Sequence, residues 1–145
     1  VGPRIGEVCA FNVEDVDARR GRLRVRRSKS GRARDVPVPA SLMERLDVSR
    51  GGAEPLFLTP MGKRVRVDNW RHRVFNPGCV KAGLPGLVPH DLRHTAASLM
   101  IASGASVKDV QAVLGHASAK ITLDLYAGLF DERLDDVSAR MDGLL

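Results

Sequence analysis

Side chains that can handle protons or anions are concentrated between residues 90 and 127 of the chain. They are three histidines, one arginine and the chain's single tyrosine: His90, Arg93, His94, His116 and Tyr126. Three readings are compatible with such a set: a metal site, a hydrophobic core whose polar groups are hydrogen-bonded, or a site that binds and attacks a phosphate. The spacing and the neighbouring residues favour the third reading and leave the other two open.

A metal site is possible because His90 and His94 are four residues apart and His116 could complete a three-histidine set. Arg93 lies in the same helical turn, however, and a permanent cation beside a metal dication is unfavourable unless an anion lies between them. The HExxH motif of zinc proteases is also absent, because the residues between the first two histidines read "DLR". A metal-dependent phosphoesterase stays an alternative that loss of activity in EDTA would support.

The core reading explains each residue alone: buried histidines bond to backbone, Arg93 pairs with Asp91 or Glu7, and Tyr126 packs with its hydroxyl bonded. A phosphodiester under displacement needs more: cations on its non-bridging oxygens, a nucleophile in line, and a proton donor for the leaving oxygen. Arginine, histidine, lysine and tyrosine supply all of these without a metal. A tyrosine, with a pKa near 10, needs nearby arginines and a histidine base to attack.

Composition points to a phosphate-bearing partner. The 145 residues, 43% of them apolar, fit one compact domain. Twenty-three lysines and arginines against 17 acids give a net charge of +6, and most of the bases are arginines, which bind phosphate in bidentate fashion. Residues 19–34 alone carry nine basic residues and no acid. This run indicates a nucleic-acid face, with a solvated basic hairpin as the alternative.

Several classes of protein are not indicated by the sequence. Cys9 and Cys79 show no paired spacing, which argues against a disulfide framework or a zinc knuckle. No apolar run approaches the roughly 20 residues needed to cross a bilayer, and no signal peptide opens the chain. A cytoplasmic protein with no membrane partner is therefore expected.

The chain before residue 80 predicts short helices around a basic hairpin. A helix is expected almost from residue 1, with Gly2 and Pro3 in its first turn. Alternation in "RLRVRR" and "ARDVPVP" on either side of "SKSG" predicts a β-hairpin. We expect a helix opened by Pro39, a short strand at "LFL", and a helix capped by Asp68 that kinks or restarts at residues 76–78.

The later segments place the candidate residues. A buried helix over about 90–102 is predicted to bury Leu92, Ala96 and Leu99, which turns His90 and Arg93 to another face. Ser106 and Asp109 form a capping box that starts the next helix, Gly115 ends it, and His116 follows on a tight turn. Ser118 then caps a helix that carries Tyr126, and a short amphipathic segment ends the chain.

These residues together resemble the tyrosine recombinases, or phage-type integrases. "PHDLRHTAASLMIASGASVKDVQAVLGHASAKITLDLYAGL" resembles the family's C-terminal signature: H-x-x-R, then L-G-H, then a tyrosine ten residues later. "GPRIGEV" resembles the motif of the family's first arginine, and "VRRSKSGRARDVPVP" resembles its lysine-bearing hairpin. The order of these motifs over nearly the whole chain is far more specific than any one of them.

The resemblance implies a role for each matching residue. Arg4 and Arg93 would clamp the scissile phosphate, and His90 and His116 would bond to it, with His90 helping proton transfer. Lys29 would protonate the departing 5′ oxygen, and Tyr126 would attack to form a 3′-phosphotyrosine. The covalent link keeps the phosphodiester energy, so the family needs neither ATP nor a metal ion, and no cofactor is expected.

Three departures from the family pattern leave these six residues intact. Pro3 replaces the usual leucine before the first arginine, "AFNVEDVD" lacks a common tryptophan so that Val13 must pack there, and "FNPGCVKAGL" interrupts a usually continuous helix. The implied fold is mainly α with a small antiparallel β-sheet, an α+β DNA breaking-rejoining catalytic domain. The core-binding domain and first catalytic helices would lie before Val1, so 1–145 is expected to be a single catalytic-domain fragment with weak, poorly specific DNA binding of its own.

The implied partner is double-stranded DNA, with a homotetramer formed on it and accessory DNA-bending proteins as potential further partners. The tail is hypothesised to dock on another protomer through Leu129, Phe130, Leu134 and Val137, the alternative being that it folds back on its own domain. A type IB topoisomerase is the nearest enzymatic rival. A DNA-binding module with a buried, inert Tyr126 is the rival from another class.

Overall fold

A computed structural model describes residues 1–26, 33–131 and 141. Within this part the helices are α1 (Ile5–Ala10), α2 (Ala40–Met43), α3 (Val67–Trp70), α4 (Asn76–Lys81), α5 (Pro89–Ala102), α6 (Val107–Leu114) and α7 (Ala119–Asp131). The strands are β1 (Val16–Asp17), β2 (Arg22–Val25) and β3 (Arg34–Pro37). The predicted class, mainly α with a small antiparallel sheet, is confirmed.

The sheet has the order β1-β2-β3, and both pairs of strands are antiparallel. On β2, Leu23 and Val25 are buried while Arg22 and Arg24 are exposed, as the alternation of the sequence predicts. The predicted basic hairpin is therefore confirmed in its two strands, and β1 adds an edge strand that the sequence did not signal. The tip of the hairpin, including Lys29, lies outside the described residues.

Two groups of buried side chains hold the domain together. The first lies between the inner face of the sheet, α1 and the segment before residue 58, and consists of Phe11, Val13, Leu23, Val25, Val36, Val38 and Leu56. Val13, which was expected to pack in place of a tryptophan common in the family, is buried in this group. The second lies between α5, α6 and α7, and consists of Ala97, Ile101, Val110, Leu114 and Tyr126. Helix α6 joins the two groups, because its Val113 packs against the first.

The predicted buried face of α5 is wrong. Leu92 and Leu99 are 48% and 65% exposed, whereas Arg93, Ala97 and Ile101 are 4%, 0% and 1% exposed. These three residues are spaced by four and form one stripe, so Arg93 lies on the buried face of the helix and not away from it. Apolar residues occur around much of α5, so helical periodicity alone did not select the stripe that faces the core.

Three local expectations also differ from the structure. Helix α1 begins at Ile5 because Glu7 accepts a hydrogen bond from the backbone N–H of Arg4, at 2.8 Å, which fixes the N-terminus there. Residues 56–58 form no strand, and Leu58 makes an isolated bridge to Arg64. Asp68 lies in the first turn of α3, after Arg66 at the N-cap.

The helix around Pro77 continues where a kink or restart was expected. A π-helical turn over Arg71–Phe75 joins α3 to α4, so the backbone is helical from Val67 to Lys81. The N–H of Asn76 donates to the carbonyl of Arg71, five residues earlier. Proline has no N–H to donate to the carbonyl four residues earlier, and the wider π-helical turn before Pro77 lets the helix continue without that hydrogen bond.

Among the described residues, no helix is both long and apolar enough to cross a membrane.

Candidate active site

Arg4 is held by a carboxylate that also binds a second arginine. Oε2 of Glu7 accepts from the backbone of Arg4, and Oε1 lies 3.5 Å from its guanidinium. Arg34 on β3 donates to both oxygens of Glu7, at 2.9 and 2.7 Å, in a bidentate pair whose side chains are 9% and 8% exposed. Glu7 lies one helical turn beyond Arg4 and orients it through these contacts. Arg34 adds a partner that the sequence did not reveal.

Arg34 also ties this pair to α6. Its Nε donates to the carbonyl of Val113 at 2.8 Å, near the C-terminal end of that helix. The side chain therefore bridges the start of α1, which carries Arg4, and the end of α6, which precedes His116. These contacts place Arg34 inside the domain, so part of the basic run at residues 19–34 does not form the outer surface.

Arg93 makes a second bridge between the same two regions. Its terminal nitrogens donate to the carbonyls of Gly2 and Leu114, at 2.5 and 2.6 Å. A guanidinium has five N–H donors, so these bonds leave donors for an anion. Burial, followed by the charges of Arg4 and Arg34, lowers the pKa of Arg93 to about 10, which keeps it protonated near neutral pH.

His116 follows directly from the left-handed turn at Gly115, whose φ is 67°. The predicted capping box of α6, Ser106 with Asp109, and the glycine at its end are both confirmed. Nδ1 of His116 lies 2.9 Å from the hydroxyl of Thr122, a fully buried residue of α7. The turn and this contact fix the imidazole between two helices.

Gly115→Ala is expected to destabilise the domain by about 2 kcal/mol or more, because an L residue at this φ costs about 1–2 kcal/mol. A Cβ there would also lie 2.9 Å from Nη1 of Arg34, a guanidinium already bonded to Glu7 and to the Val113 carbonyl. Urea denaturation measures the change. Gly78→Ala in α4 is the control, since a Cβ there meets no atom within 4 Å. Equal stability of G115A and wild type would contradict the expectation.

Burial, reinforced by the charges of Arg93 and Arg4, lowers the pKa of His116 to about 4 from an ordinary 6.5. The imidazole is therefore neutral at pH 7. As the pH falls, His116 in the unfolded chain takes up its proton near pH 6.5, whereas in the folded chain it does so only near pH 4. The stability contributed by the neutral ring is therefore complete above pH 6.5 and is lost progressively toward pH 4.

We expect the free energy of unfolding of the wild type to fall between pH 6.5 and pH 4 more steeply than that of His116→Gln. Urea denaturation at intervals across this range measures both slopes. An NMR titration of the His116 ring supplies an independent check. A ring that takes up its proton close to 6.5 would contradict the assignment.

Tyr126 is buried on α7, with 6% of its surface exposed, and its hydroxyl lies 2.7 Å from Nδ1 of His94 on α5. The rings of His90 and His94 meet edge to face, with centroids 4.7 Å apart. Burial raises the pKa of Tyr126, and the charge of Arg93 opposes that effect. Burial also lowers the pKa of His90, with the charges of His94, Arg93 and Arg4 acting in the same direction.

The structure therefore gathers five of the six residues singled out from the sequence: Arg4, His90, Arg93, His116 and Tyr126. Lys29 lies outside the described residues. Glu7, Arg34, His94 and Thr122 contribute contacts as well, and the sequence had offered His94 only as a possible metal ligand. Across the described part of the chain, no three His, Cys, Asp or Glu side chains are grouped to hold a metal ion.

Comparison with known proteins gives consistent matches over the chain. The model described as "Phage integrase family" matches residues 1–133. Tyrosine recombinase XerC of Herpetosiphon aurantiacus is 35% identical over 143 residues, which cover 91% of this chain and 45% of that protein. XerC of Mycobacterium leprae is 36% identical over 143 residues, 92% of this chain and 48% of that protein. The chain thus spans less than half the length of these relatives.

Solved structures show the same fold. The crystal structure of XerA recombinase superimposes with a TM-score of 0.73 at 27% identity, covering 97% of this chain and 53% of that one. The catalytic domain of bacteriophage HP1 integrase gives 0.70 at 22% identity, over 94% of this chain and 73% of that one. XerH recombinase bound to its difH substrate gives 0.71 at 23% identity, over 94% and 42%.

Proposed function

Since the chain belongs to the phage integrase family, we propose that it is the catalytic domain of a site-specific recombinase. It cuts and rejoins duplex DNA through a 3′-phosphotyrosine intermediate. The relatives are named tyrosine recombinases. The proposed reaction would use the buried Tyr126, which is hydrogen-bonded to His94 and lies near the charge of Arg93.

One observation carries the proposal: a buried tyrosine lies in a surplus of positive charge. Arg4, Arg34 and Arg93 act on one another and on the neighbouring histidines, and Glu7 is the carboxylate bonded among them. A site with more cations than anions favours binding an anion, and a phosphodiester brings one negative charge to it. Arg4, whose side chain is 36% exposed, can reach such an anion from the surface.

The proposed reaction assigns each residue one task. Arg4 and Arg93 bind the non-bridging oxygens and stabilise the charge that grows on them in the transition state. His90 and His116 donate hydrogen bonds to the same phosphate. Tyr126 attacks phosphorus through its phenolic oxygen, the bond from phosphorus to the 5′ oxygen breaks, and Lys29 supplies the proton that the 5′ oxygen takes up.

The second half of the reaction reverses the first. A free 5′ hydroxyl of a partner strand attacks the phosphotyrosine, which restores Tyr126 and seals DNA in a new arrangement. The covalent link conserves the energy of the phosphodiester, so neither ATP nor a metal ion takes part in the proposal. Thr122 contributes by holding the His116 ring at Nδ1, which leaves Nε2 for the phosphate.

Double-stranded DNA is the proposed partner. Structures of related folds include a Tn1549 integrase with circular intermediate DNA and XerH with difH. Arg22 and Arg24, exposed on the outer side of the sheet, are placed to contact the duplex backbone. We also propose a tetramer on DNA, joined through the segment after residue 129, and accessory DNA-bending proteins as further partners.

Trapping a covalent adduct tests the proposal. The protein is incubated in EDTA with labelled duplexes from the DNA around its own gene, quenched with SDS, and resolved by denaturing electrophoresis. An adduct that carries phosphotyrosine supports the proposal. DNA binding without any adduct supports the binding-module alternative, and an adduct that forms only with a divalent metal argues for a metal-dependent enzyme.

A second assay separates the recombinase from a topoisomerase. The products of two distinguishable duplexes are examined for joined strands, alongside relaxation of a supercoiled plasmid. Joints between the two duplexes are expected. Relaxation alone would favour the type IB topoisomerase reading.

A further inference from the structure

We propose that His94 is an additional catalytic residue, the base that accepts the phenolic proton of Tyr126 when this oxygen attacks phosphorus. The inference rests on the proposed function and deepens it, because it names the group that activates the nucleophile. The resemblance to the family assigned help with proton transfer to His90. The contacts around the tyrosine point to His94.

The first observation is the contact itself. Nδ1 of His94 and the hydroxyl oxygen of Tyr126 are 2.7 Å apart, within the range of a strong hydrogen bond. A base must lie within this distance of the proton it removes. The two rings are tilted by 55° with centroids 5.9 Å apart, so the contact is between the polar atoms and is not a stacking contact.

The second observation is the arrangement of the two neighbouring histidines. His90 contacts the ring of His94 edge to face, whereas His94 is hydrogen-bonded to the hydroxyl of Tyr126. His90 is exposed and His94 is half-buried, which leaves His90 free for the phosphate and puts His94 behind the nucleophile. The two rings therefore suit different tasks.

The third observation is the rigidity of the support. His94 and Tyr126 project from α5 and α7, which pack together through Ala97, Ile101 and Tyr126 itself. The carbonyl of His94 accepts a hydrogen bond from Ser98, at 3.2 Å. A base on one packed helix and a nucleophile on another keep their separation without any loop having to order first.

The proton balance of the step is complete. In the neutral form that serves as a base, His94 has a free Nδ1 and carries its proton on Nε2. As the bond between the tyrosine oxygen and phosphorus forms, the phenolic proton passes to Nδ1 and gives an imidazolium. The 5′ oxygen leaves with the electrons of its bond to phosphorus and takes its proton from Lys29, and the imidazolium returns the proton when strand joining releases the tyrosine.

A measurement on the free protein tests the contact without DNA. The chain has one tyrosine, so labelling tyrosine with ¹³C at Cζ gives a single resonance from Tyr126. His94→Ala should shift this signal, and His72→Ala on the exposed π-helical turn should leave it in place. A signal unchanged in H94A would overturn the inference, whatever the protein does to DNA.

The rate of adduct formation at saturating DNA tests the proton transfer. His94→Asn keeps a polar atom near the position of Nδ1 but removes a usable base, so we expect a rate about 100-fold below wild type with unchanged DNA binding. His72→Asn is the matched control and should react at the wild-type rate. Added imidazole should restore much of the rate of H94A and none of the rate of Tyr126→Phe.

The outcomes separate this inference from the proposed function. No adduct with wild type on any DNA refutes the proposed function. Adducts formed by wild type and H94N at the same rate refute the role of His94 alone. If H94A forms the adduct slowly and added imidazole does not restore the rate, proton transfer by His94 is also refuted. His94 would then act only through its packing against Tyr126.

Discussion

Replacing Tyr126 by phenylalanine should abolish the covalent adduct, lowering its rate of formation by about 10⁴-fold or more, as expected when the nucleophile is removed. The change deletes one oxygen and keeps the ring that packs between α5, α6 and α7. The lost hydrogen bond to His94 costs about 1 kcal/mol, so the variant stays folded. Adduct yield after an SDS quench, together with urea denaturation, measures both effects.

The outcome is unambiguous because the chain contains no other tyrosine. DNA binding by the variant should match that of wild type, which separates loss of chemistry from loss of affinity. An adduct that survives in Y126F would mean that another residue attacks the phosphate. If every activity persists in the variant, Tyr126 is a core residue and the chain acts as a binding module.

Replacing Arg93 by methionine should slow adduct formation by about 10³-fold, because a cation that stabilises a phosphoryl transition state contributes on that order. Its effect on stability should be smaller. The variant loses two hydrogen bonds to the carbonyls of Gly2 and Leu114, but it also removes a buried charge repelled by Arg4 and Arg34. We expect a fall of about 1–3 kcal/mol in the free energy of unfolding.

The exposed Arg45 provides the matched control, since Arg45→Met removes the same charge outside the site. Both quantities should stay at wild-type values in this control. Adduct formation by R93M at the wild-type rate would contradict phosphate binding by Arg93. The residue would then have only a structural role, as the side chain that connects Gly2 to α6. A fall in the free energy of unfolding beyond the expected range would show that relief of the repulsion offsets little of the cost of the two lost hydrogen bonds.

Features set by neighbouring residues could be predicted from the sequence. The two strands of the hairpin follow from alternation of Leu23 and Val25 with arginines, and α6 follows from its capping box and from Gly115. Glu7 and Arg4 are three residues apart, within one helical turn, so their contact also follows from the local sequence. In each case the signal and the structure lie within a few residues of each other.

Features set by packing could not be predicted. Arg93 is buried because two carbonyls distant in sequence accept from it, and no periodicity of α5 records that. Arg34 belongs to the basic segment 19–34, whose composition predicts a DNA-binding surface. Its side chain is nevertheless largely buried, because it donates hydrogen bonds to the Glu7 carboxylate and the Val113 carbonyl. The contact of His94 with Tyr126 likewise depends on how α5 lies against α7, and that angle has no local signature.

The anchors of the two buried arginines have a consequence for sequence divergence. The hydrogen bonds of these arginines go to the backbone carbonyls of Gly2, Val113 and Leu114. Every residue type has such a carbonyl, whatever its side chain. Substitutions at positions 113 and 114 therefore leave the acceptors in place as long as the backbone keeps its path. Apolar side chains that fill the same buried space can therefore replace one another at these two positions while the cations stay where they are.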